Sequence, residues 1–565
     1  MGLSTALATA GRSLEVFSAG LQIAGQNISN ASTPGYIREK LVLTTDAPFR
    51  DGNLLFGTGV VANGVRQQID KFLATRTQAA RSDFEGASAR ASIFKQLEST
   101  LNELGDRDLS SSLNNFLSKI NDVTNQPEVQ AVRQVAIGAG QQFASDVSAL
   151  RAQIDQLRAA QTIKVKDLVT EANQLIDTIA QLNPQIVSLE SAGKLQSDAG
   201  GLRTQRYAAL NRLAEIIPIK AIEQANGNVD VFTDSNYLIL DGNNTQKLQT
   251  TTSVDRGVAV VHVQIQGSDI SMNGSGGELN GIISGRDTVL GGFADQLDTY
   301  AANVIYEFNK IHAAGEGVAG FSSVTGTYKV SDVNQSLNAA GLAFTPQHGS
   351  FDVKVINKQT GIAQTTTISI DLDGIGSDTT LQGLQTALAG VGNITASLTT
   401  DRRLTISAGA GYEIKFGNDS SGALAALGIN TFFKGSTSQD IAVNSTVRDN
   451  ANLFASGQGG GPADSSNVVK LARFVDQPVA GLGQASLSDF YDNTVSTLAQ
   501  DSAAEEAVSQ GFQGFRDALQ SQQTQFSGVS LDEETINALG FQRNYQTAAK
   551  FVTVIDQLFE VLLNI

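Results

Sequence analysis

The sequence predicts a multidomain α+β protein with coiled-coil terminal helices, a long helical-bundle domain and β-rich inserted domains. Three observations carry this. Apolar residues recur in heptads at both ends of the chain. Between Pro48 and Pro127 lies a proline-free stretch rich in Ala, Leu, Gln, Ser and charged residues, the composition of helix. From about Gly315 to Gly461 the chain is instead rich in Gly, Thr, Ser, Asn and Val, as short strands and turns are. At 565 residues it also exceeds the size at which one core keeps growing.

The first element is a helix over the opening segment. Leu7, Leu14, Leu21 and Ile28 form one series, and Ala10, Phe17 and Ala24 lie between its members at alternating spacings, which places one narrow apolar stripe on the helix. Arg12, Ser13, Glu15, Gln22 and Gln26 fall elsewhere. The helix should end near Asn30, because Pro34 fixes its φ and Gly35 can take the positive φ that a type II turn requires next. The segment from Tyr36 to Thr45 then reads as extended.

The last segment mirrors the first, with Ala538, Phe541, Tyr545, Ala548, Val552, Ile555, Phe559 and Leu562 at the same alternating spacings. Ser530 to Glu533 matches a capping box, in which the Ser hydroxyl and the Glu carboxylate each satisfy a free amide. Gly540 weakens this helix by roughly 1 kcal/mol relative to Ala. Helices of this kind are marginal in isolation and need partners.

Between the ends, residues from about 70 to 216 read as helix, with a stripe at Leu168, Ala172, Leu175, Ile179, Leu182, Ile186 and Leu189. Pro184 within it predicts a kink, or a break between two helices. Residues 217 to 271 change to strand signals at Val229, Tyr237 and Val258. Helix returns over Arg286 to His312 and about 486 to 526. The region from about 320 to 450 has its own alternation and turns, with strands from Phe351, Thr366, Ile394 and Arg403 and short helices near Leu381 and Ala423, so it reads as an insertion that folds separately.

The chemistry excludes more than it assigns. Lys plus Arg number 39 against 56 Asp plus Glu, a net charge of -17 without a basic cluster, so no nucleic acid is expected as a partner. There is no Cys, hence no disulfide, thiol chemistry or cysteine zinc site. No apolar run reaches membrane-spanning length, so membrane insertion is not expected. No Lys or Arg precedes Arg12 and no cleavage pattern follows, which argues against a cleaved secretory leader.

His262, His312 and His348 lie far apart without ligand spacing, so no metal site is assigned. Gly315 to Gly320 matches G-x-G-x-x-G but follows a helix instead of a strand, and reads as a helix-ending loop. Asp371-Leu372-Asp373-Gly374 reads as a hairpin turn. Glu505 and Glu506 are adjacent and cannot face one another on a helix. No catalytic residue and no cofactor is assigned, and an enzyme is not expected.

At its two ends the chain resembles the flagellar axial proteins, the family of rod, hook and hook-associated subunits. The residues that carry the resemblance are Ala24 to Tyr36, with Asn27, Asn30, Thr33, Pro34, Gly35 and Tyr36 forming the motif turn, then Arg38, and at the other end Tyr545 to Lys550. Ser527 to Glu534 is similar to one hook-associated branch, as are Leu202 to Arg206, Gly277 to Gly281, and Asn309 with His312 and Gly315. Ile37 and Gly540-Phe541 depart from the usual pattern.

The resemblance implies a structural subunit exported without a cleaved leader and sited at the junction of hook and filament. Its two ends would join into an inner coiled-coil domain made of 1–45 and 530–565. A helical domain would take 46–320, with a small β part at about 217–271, and resume at 451–529 around an outer β-rich domain at 321–450. Leu7, Leu14, Phe17, Leu21, Ile28, Tyr545, Val552, Ile555, Phe559 and Leu562 would then form the assembly interface. The implied partners are copies of itself, the flagellar hook protein, hook-associated protein 3, and an export chaperone covering the C-terminal helix. A surface adhesin acting through the β-rich insertion stays open as the alternative.

Overall fold

The computed structural model describes residues 2–102, 108–191, 197–267 and 276–564, so positions 268–271 of the expected strand region lie outside it. The chain opens with α1 (Gly2–Asn30), β1 (Glu39–Thr45), β2 (Phe49–Asp51), β3 (Leu54–Phe56) and β4 (Val60–Gln67). Four helices follow: α2 (Lys71–Asn102), α3 (Leu109–Asn125), α4 (Gln130–Ser191) and α5 (Gly200–Ile216). Next come β5 (Ile219–Glu223), β6 (Val229–Thr233), β7 (Leu238–Asp241), β8 (Asn244–Thr245), β9 (Leu248–Asp255) and β10 (Val258–Ile265). Then α6 (Glu278–Ser284) passes through a π-helical stretch, Gly285–Leu290, into α7 (Gly291–Ala313).

The expected insertion holds β11 (Ser323–Thr325), β12 (Gly349–Asn357), β13 (Ala363–Ile370), α8 (Leu381–Ala389), β14 (Ile394–Leu398), β15 (Leu404–Ala408), β16 (Tyr412–Gly417), α9 (Ala423–Leu427), β17 (Phe433–Lys434) and β18 (Ala442–Val443). After α10 (Ser445–Asp449) and α11 (Ser466–Leu471), the chain closes with α12 (Leu487–Ser527) and α13 (Leu531–Leu563). Among the described residues no helix is long and apolar enough to cross a membrane.

The chain divides into two compact units. The first comprises Met1–Ile93, Ala159–Arg286 and Ser502–Ile565. Its core packs the α4 stripe, including Leu168, Ala172 and Ile179, against Leu210 and Leu213 of α5 and Val231, Ile239, Val261 and Val263 of the strands. Leu189, at the end of the stripe, stays exposed. A four-stranded sheet runs β5-β6-β7-β8, while β9 and β10 form a separate antiparallel pair.

Pro184 does not break the helix, since α4 is continuous across it. The neighbouring Asn183 gives the reason: its Nδ2 donates to the carbonyls of Val229 (2.9 Å) and Gly242 (2.6 Å), and its Oδ1 accepts from Val229 N and from Arg206 Nη1. A fully buried side chain holding the helix to the strands and to α5 outweighs the lost backbone bond at proline.

The second unit comprises Phe94–Arg158 and Asp287–Asp501. In the region read as an insertion, β12 is central to the sheet β13-β12-β16, and β15 is central to β11-β15-β14. Their inward residues Val353, Val355, Ile368, Ile406, Ile414 and Phe416 join Leu384 and Leu388 of α8 in one core cluster. A second, aromatic cluster gathers Phe116, Phe143, Phe308, Phe432 and Phe433, with Phe432 and Phe433 edge-to-face at 4.8 Å. Asn309 fixes the chain there: its Oδ1 accepts from the amides of Phe432 and Phe433, and its Nδ2 donates to Phe433 O.

Candidate functional site

The two chain ends meet in the first unit, where α1 and α13 pack antiparallel: Ala10 and Phe17 lie by Ala548 and Phe551, Gly20 by Phe541, and Asn27 by Glu534. The buried face of α1 is made of small residues, Ala10, Gly20 and Ala24, together with Val16 and Asn27. Gly20 is required for this approach, since a Cβ there would come 2.6 Å from the Phe541 ring. On α13 the buried residues are Glu534, Ala548 and Ile555.

Half of the ten stripe residues therefore lie away from the seam between these two helices. Leu7, Leu21 and Ile28 are exposed at 40%, 41% and 36%, and Tyr545 and Leu562 at 43% and 58%. Leu14, Phe17, Val552 and Phe559 are half-buried, and of the ten only Ile555 is buried. Small residues bring the helices close, and the large apolar side chains are left on the flanks.

The motif turn closes the helix as its residue types demand. Thr33 N donates to Asn30 O, Tyr36 N to Thr33 O, and Gly35 takes a φ of 77° beside the exposed Pro34. This turn delivers Tyr36, Arg38 and Glu39 to the start of α13.

There a buried polar node forms around Asn27, which is fully enclosed. Asn27 Nδ2 donates to Glu39 O (2.9 Å) and to Glu534 Oε2 (3.2 Å), while its Oδ1 accepts from Glu39 N (3.1 Å) and from the Tyr36 hydroxyl (3.0 Å). Arg38 grips the other chain end, with Nη1 2.8 Å from Glu533 and Nη2 2.6 Å from the buried Glu534, and its amide donates to Ser527 O. One guanidinium thus bridges two carboxylates of the opposite chain end. Burial, then Asp198, pushes the Glu39 carboxyl up; burial, then Glu39 and Glu534, pushes the Tyr36 hydroxyl up to about 12.

The capping box is half as expected: Ser530 Oγ accepts from Glu533 N, but the Glu533 carboxylate reaches Arg38. The ion pair to the opposite chain end replaces the local return bond. Sequence reading missed Glu39 and Glu534 as members of this node, because nothing in either segment marks which carboxylate another element will bury.

His262 bonds Ser253 across the β9–β10 pair. His312 is enclosed in the second unit, its Nδ1 donating to Asn430 O (2.8 Å) and its Nε2 accepting from Ala455 N (3.1 Å), and burial holds the imidazole down to about 4. Gly315 follows α7 in a loop paired to Gly457 through Glu316. The Asp371–Gly374 segment is not a hairpin turn: it leads from β13 to α8, with Asp371 and Thr379 bonded to each other. Antiparallel pairing of Gly349 with Ile370 brings His348 to that loop, where its Nδ1 lies 3.2 Å from Asp371 Oδ1 and Asp373 is close by. Two of these three side chains are exposed, and the His348 Nδ1 accepts from Leu372 N.

Residues 94–326 match the family described as flagellar hook-associated protein FlgK helical domain, and residues 520–565 match the flagellar basal body rod FlgEFG protein C-terminal family. The chain is similar to flagellar hook-associated protein 1 of Escherichia coli, with 25% identity over all of both chains. It is also similar to the proteins of that name from Salmonella typhimurium (24% identity, 98% of each chain) and Bacillus subtilis (23%, 99% of this chain and 97% of the relative). Among solved structures, the flagellar hook junction protein FlgK from Burkholderia pseudomallei shares the fold, at a TM-score of 0.50 and 17% identity, over 81% of this chain and all of that one.

Proposed function

From membership in the flagellar hook-associated protein 1 family, to which this chain belongs, we infer how the joined chain ends work. The protein is a structural, non-enzymatic component of the bacterial flagellum, a hook–filament junction protein that assembles with other flagellar components. The single observation that carries the mechanism is the division of labour on α1 and α13. Small residues hold the pair together while Leu7, Leu21, Ile28, Tyr545 and Leu562 remain exposed. Exposed apolar rows on a paired element are assembly surfaces, because only a further protein surface removes them from water.

In this reading the stripe residues other than the buried Ile555 contact neighbouring copies and the adjoining layers, the hook protein on one side and hook-associated protein 3 on the other. The subunit is thus an extracellular one at the hook–filament junction, reached by type III export after a transient stay in the cytoplasm. Before assembly the C-terminal stripe needs cover, which gives an export chaperone its role. Residues 1–45 and 530–565 act as the inner domain, 46–320 and 451–529 as the helical domain and 321–450 as an outer one.

Deleting the gene and imaging the flagella tests this directly. Hooks without filaments are expected, and normal filaments on the deletion strain contradict the reading.

A further inference from the structure

His348, Asp371 and Asp373 lie apart in the sequence and meet in the second unit because β12 and β13 pair antiparallel, with Gly349 opposite Ile370. That register sets the residue before β12 beside the residues that follow β13. His348 Nδ1 and Asp371 Oδ1 are 3.2 Å apart, and one ligand atom from each of the three side chains lies within 4.8 Å of the other two. Among the described residues no Lys or Arg pairs with either carboxylate, so only His348 faces them with the capacity to carry positive charge.

Hydrogen bonding within the protein does not account for this pair. Although the Asp371 side chain is partly exposed, its Oδ1 is closed off from solvent and accepts no hydrogen bond, a costly state for a carboxylate oxygen. The facing imidazole does not supply one. His348 Nδ1 accepts from the Leu372 amide, and a ring nitrogen acting as acceptor carries no hydrogen. Two acceptors therefore face each other at 3.2 Å. A cation between them turns that repulsion into ligation. Metal–ligand bonds of about 2.0–2.2 Å at right angles put two ligand atoms about 3 Å apart, close to the separation found. The Leu372 bond, at 3.3 Å, is long and readily gives up the nitrogen lone pair.

The donors are held to different degrees. Asp371 is fixed through its backbone, whose amide donates to Thr379 Oγ1 (2.8 Å) and whose carbonyl accepts from Thr379 N (2.7 Å). Asp373 is exposed, and because its Oδ1 accepts from Ile375 N, its other oxygen is left for a metal.

We propose that His348, Asp371 and Asp373 bind one divalent transition-metal ion, of the Zn²⁺ type, where the chain leaves β13. One imidazole with two carboxylates suits such an ion, whereas Mg²⁺ and Ca²⁺ favour oxygen ligands throughout. The ion ties the start of β12, the central strand of its sheet, to the segment that carries the chain from β13 into α8. The proposal is independent of the junction reading above, because it concerns the stability of this region and not the layer in which the subunit sits.

The full chain, purified without a polyhistidine tag, is titrated with ZnCl₂ and, separately, with MgCl₂ in a calorimeter. One saturable Zn²⁺ site per chain is expected, with Mg²⁺ much weaker. His348→Ala and Asp373→Asn should each weaken Zn²⁺ binding by at least about tenfold, the loss that even an outer-shell partner of a metal causes. His262→Ala, in the β9–β10 pair, should leave it unchanged. Hydrogen exchange supplies a second readout: Zn²⁺ should slow exchange of residues 371–379 in the parent and not in His348→Ala.

The proposal is overturned if no saturable Zn²⁺ site is found, or if Mg²⁺ binds as tightly as Zn²⁺. Unchanged binding in either His348→Ala or Asp373→Asn overturns it as well, since the site then lies elsewhere or is a lone surface histidine. Both substituted side chains are exposed, so these variants should fold as the parent does. Should one of them melt early, the other variant and the exchange of residues 371–379 in the parent decide.

Discussion

The joined chain ends and the aromatic cluster of the second unit are built from similar apolar material and use it in opposite ways. In the cluster, Phe116, Phe143, Phe308, Phe432 and Phe433 are fully buried and contact one another ring to ring. In the terminal pair, close contact comes mainly from Ala10, Gly20, Ala24 and Ala548, with Val16 and Ile555 the large apolar side chains buried there, while Leu7, Leu21, Ile28, Tyr545 and Leu562 stay outside. The first arrangement finishes within one chain. The second, in the assembly role proposed above, is completed by another chain, and what specifies its register is a polar node: Asn27, Tyr36, Arg38 and Glu534 can meet in one alignment of the helices only.

The largest test of this contrast is Phe432→Ala. Removing a buried ring should cost about 3–5 kcal/mol of stability, read by denaturant unfolding of the purified protein. An equal loss from Leu21→Asp would erase the distinction.

Acid should separate the regions next. The ordinary His312 pKa of 6.5 is lowered to about 4 in the fold, so the folded state resists protonation that the unfolded chain accepts. Stability from neutral His312 is complete above pH 6.5 and is lost as pH falls from 6.5 toward 4, by up to about 3 kcal/mol. Unfolding measured at pH 7 and pH 4.5, with His312→Gln as the control, checks this.

Glu534→Ala should cost about 1.5–3 kcal/mol, the range for a hydrogen bond to a charged group, and the loss should fall on the terminal pair. Hydrogen exchange would show faster opening of α1 and α13 with the aromatic cluster unchanged. Ser530→Ala, which removes the helix cap, should have a smaller local effect of about 1 kcal/mol, visible as fraying of the first turn of α13.

The smallest stability change is expected from Leu21→Asp, within about 0.5 kcal/mol because the side chain is exposed. Filament attachment should nevertheless be lost. Normal attachment would show that this flank faces no neighbour.

Much of the fold was legible from local pattern. Heptads located α1 and α13, Pro34-Gly35 located the turn, and alternation located β6, β7, β10 and β12 to β15. Local pattern left three places open or misread: the break offered at Pro184, the second half of the cap at Ser530 and the hairpin at Asp371. Of the kink or break offered at Pro184 the break is absent, with Asn183 tying α4 to β6; Arg38 draws Glu533 away from its cap, and Asp371 leads into a helix and not a second strand. The heptads also left undecided which members of a stripe face the partner helix, because Ala and Leu at equivalent spacing read alike.

The sequence by itself determined that both ends are amphipathic helices, that a Pro-Gly turn follows the first and that no thiol takes part, because these depend on residue type and short-range spacing. Only the tertiary structure decided that Gly20 receives Phe541, that Asn27 and Glu534 are buried together and that Leu7, Leu21, Ile28, Tyr545 and Leu562 remain outside. Those outcomes depend on the approach of two segments some five hundred residues apart in the sequence, and burial is a property of the pair that neither segment carries alone.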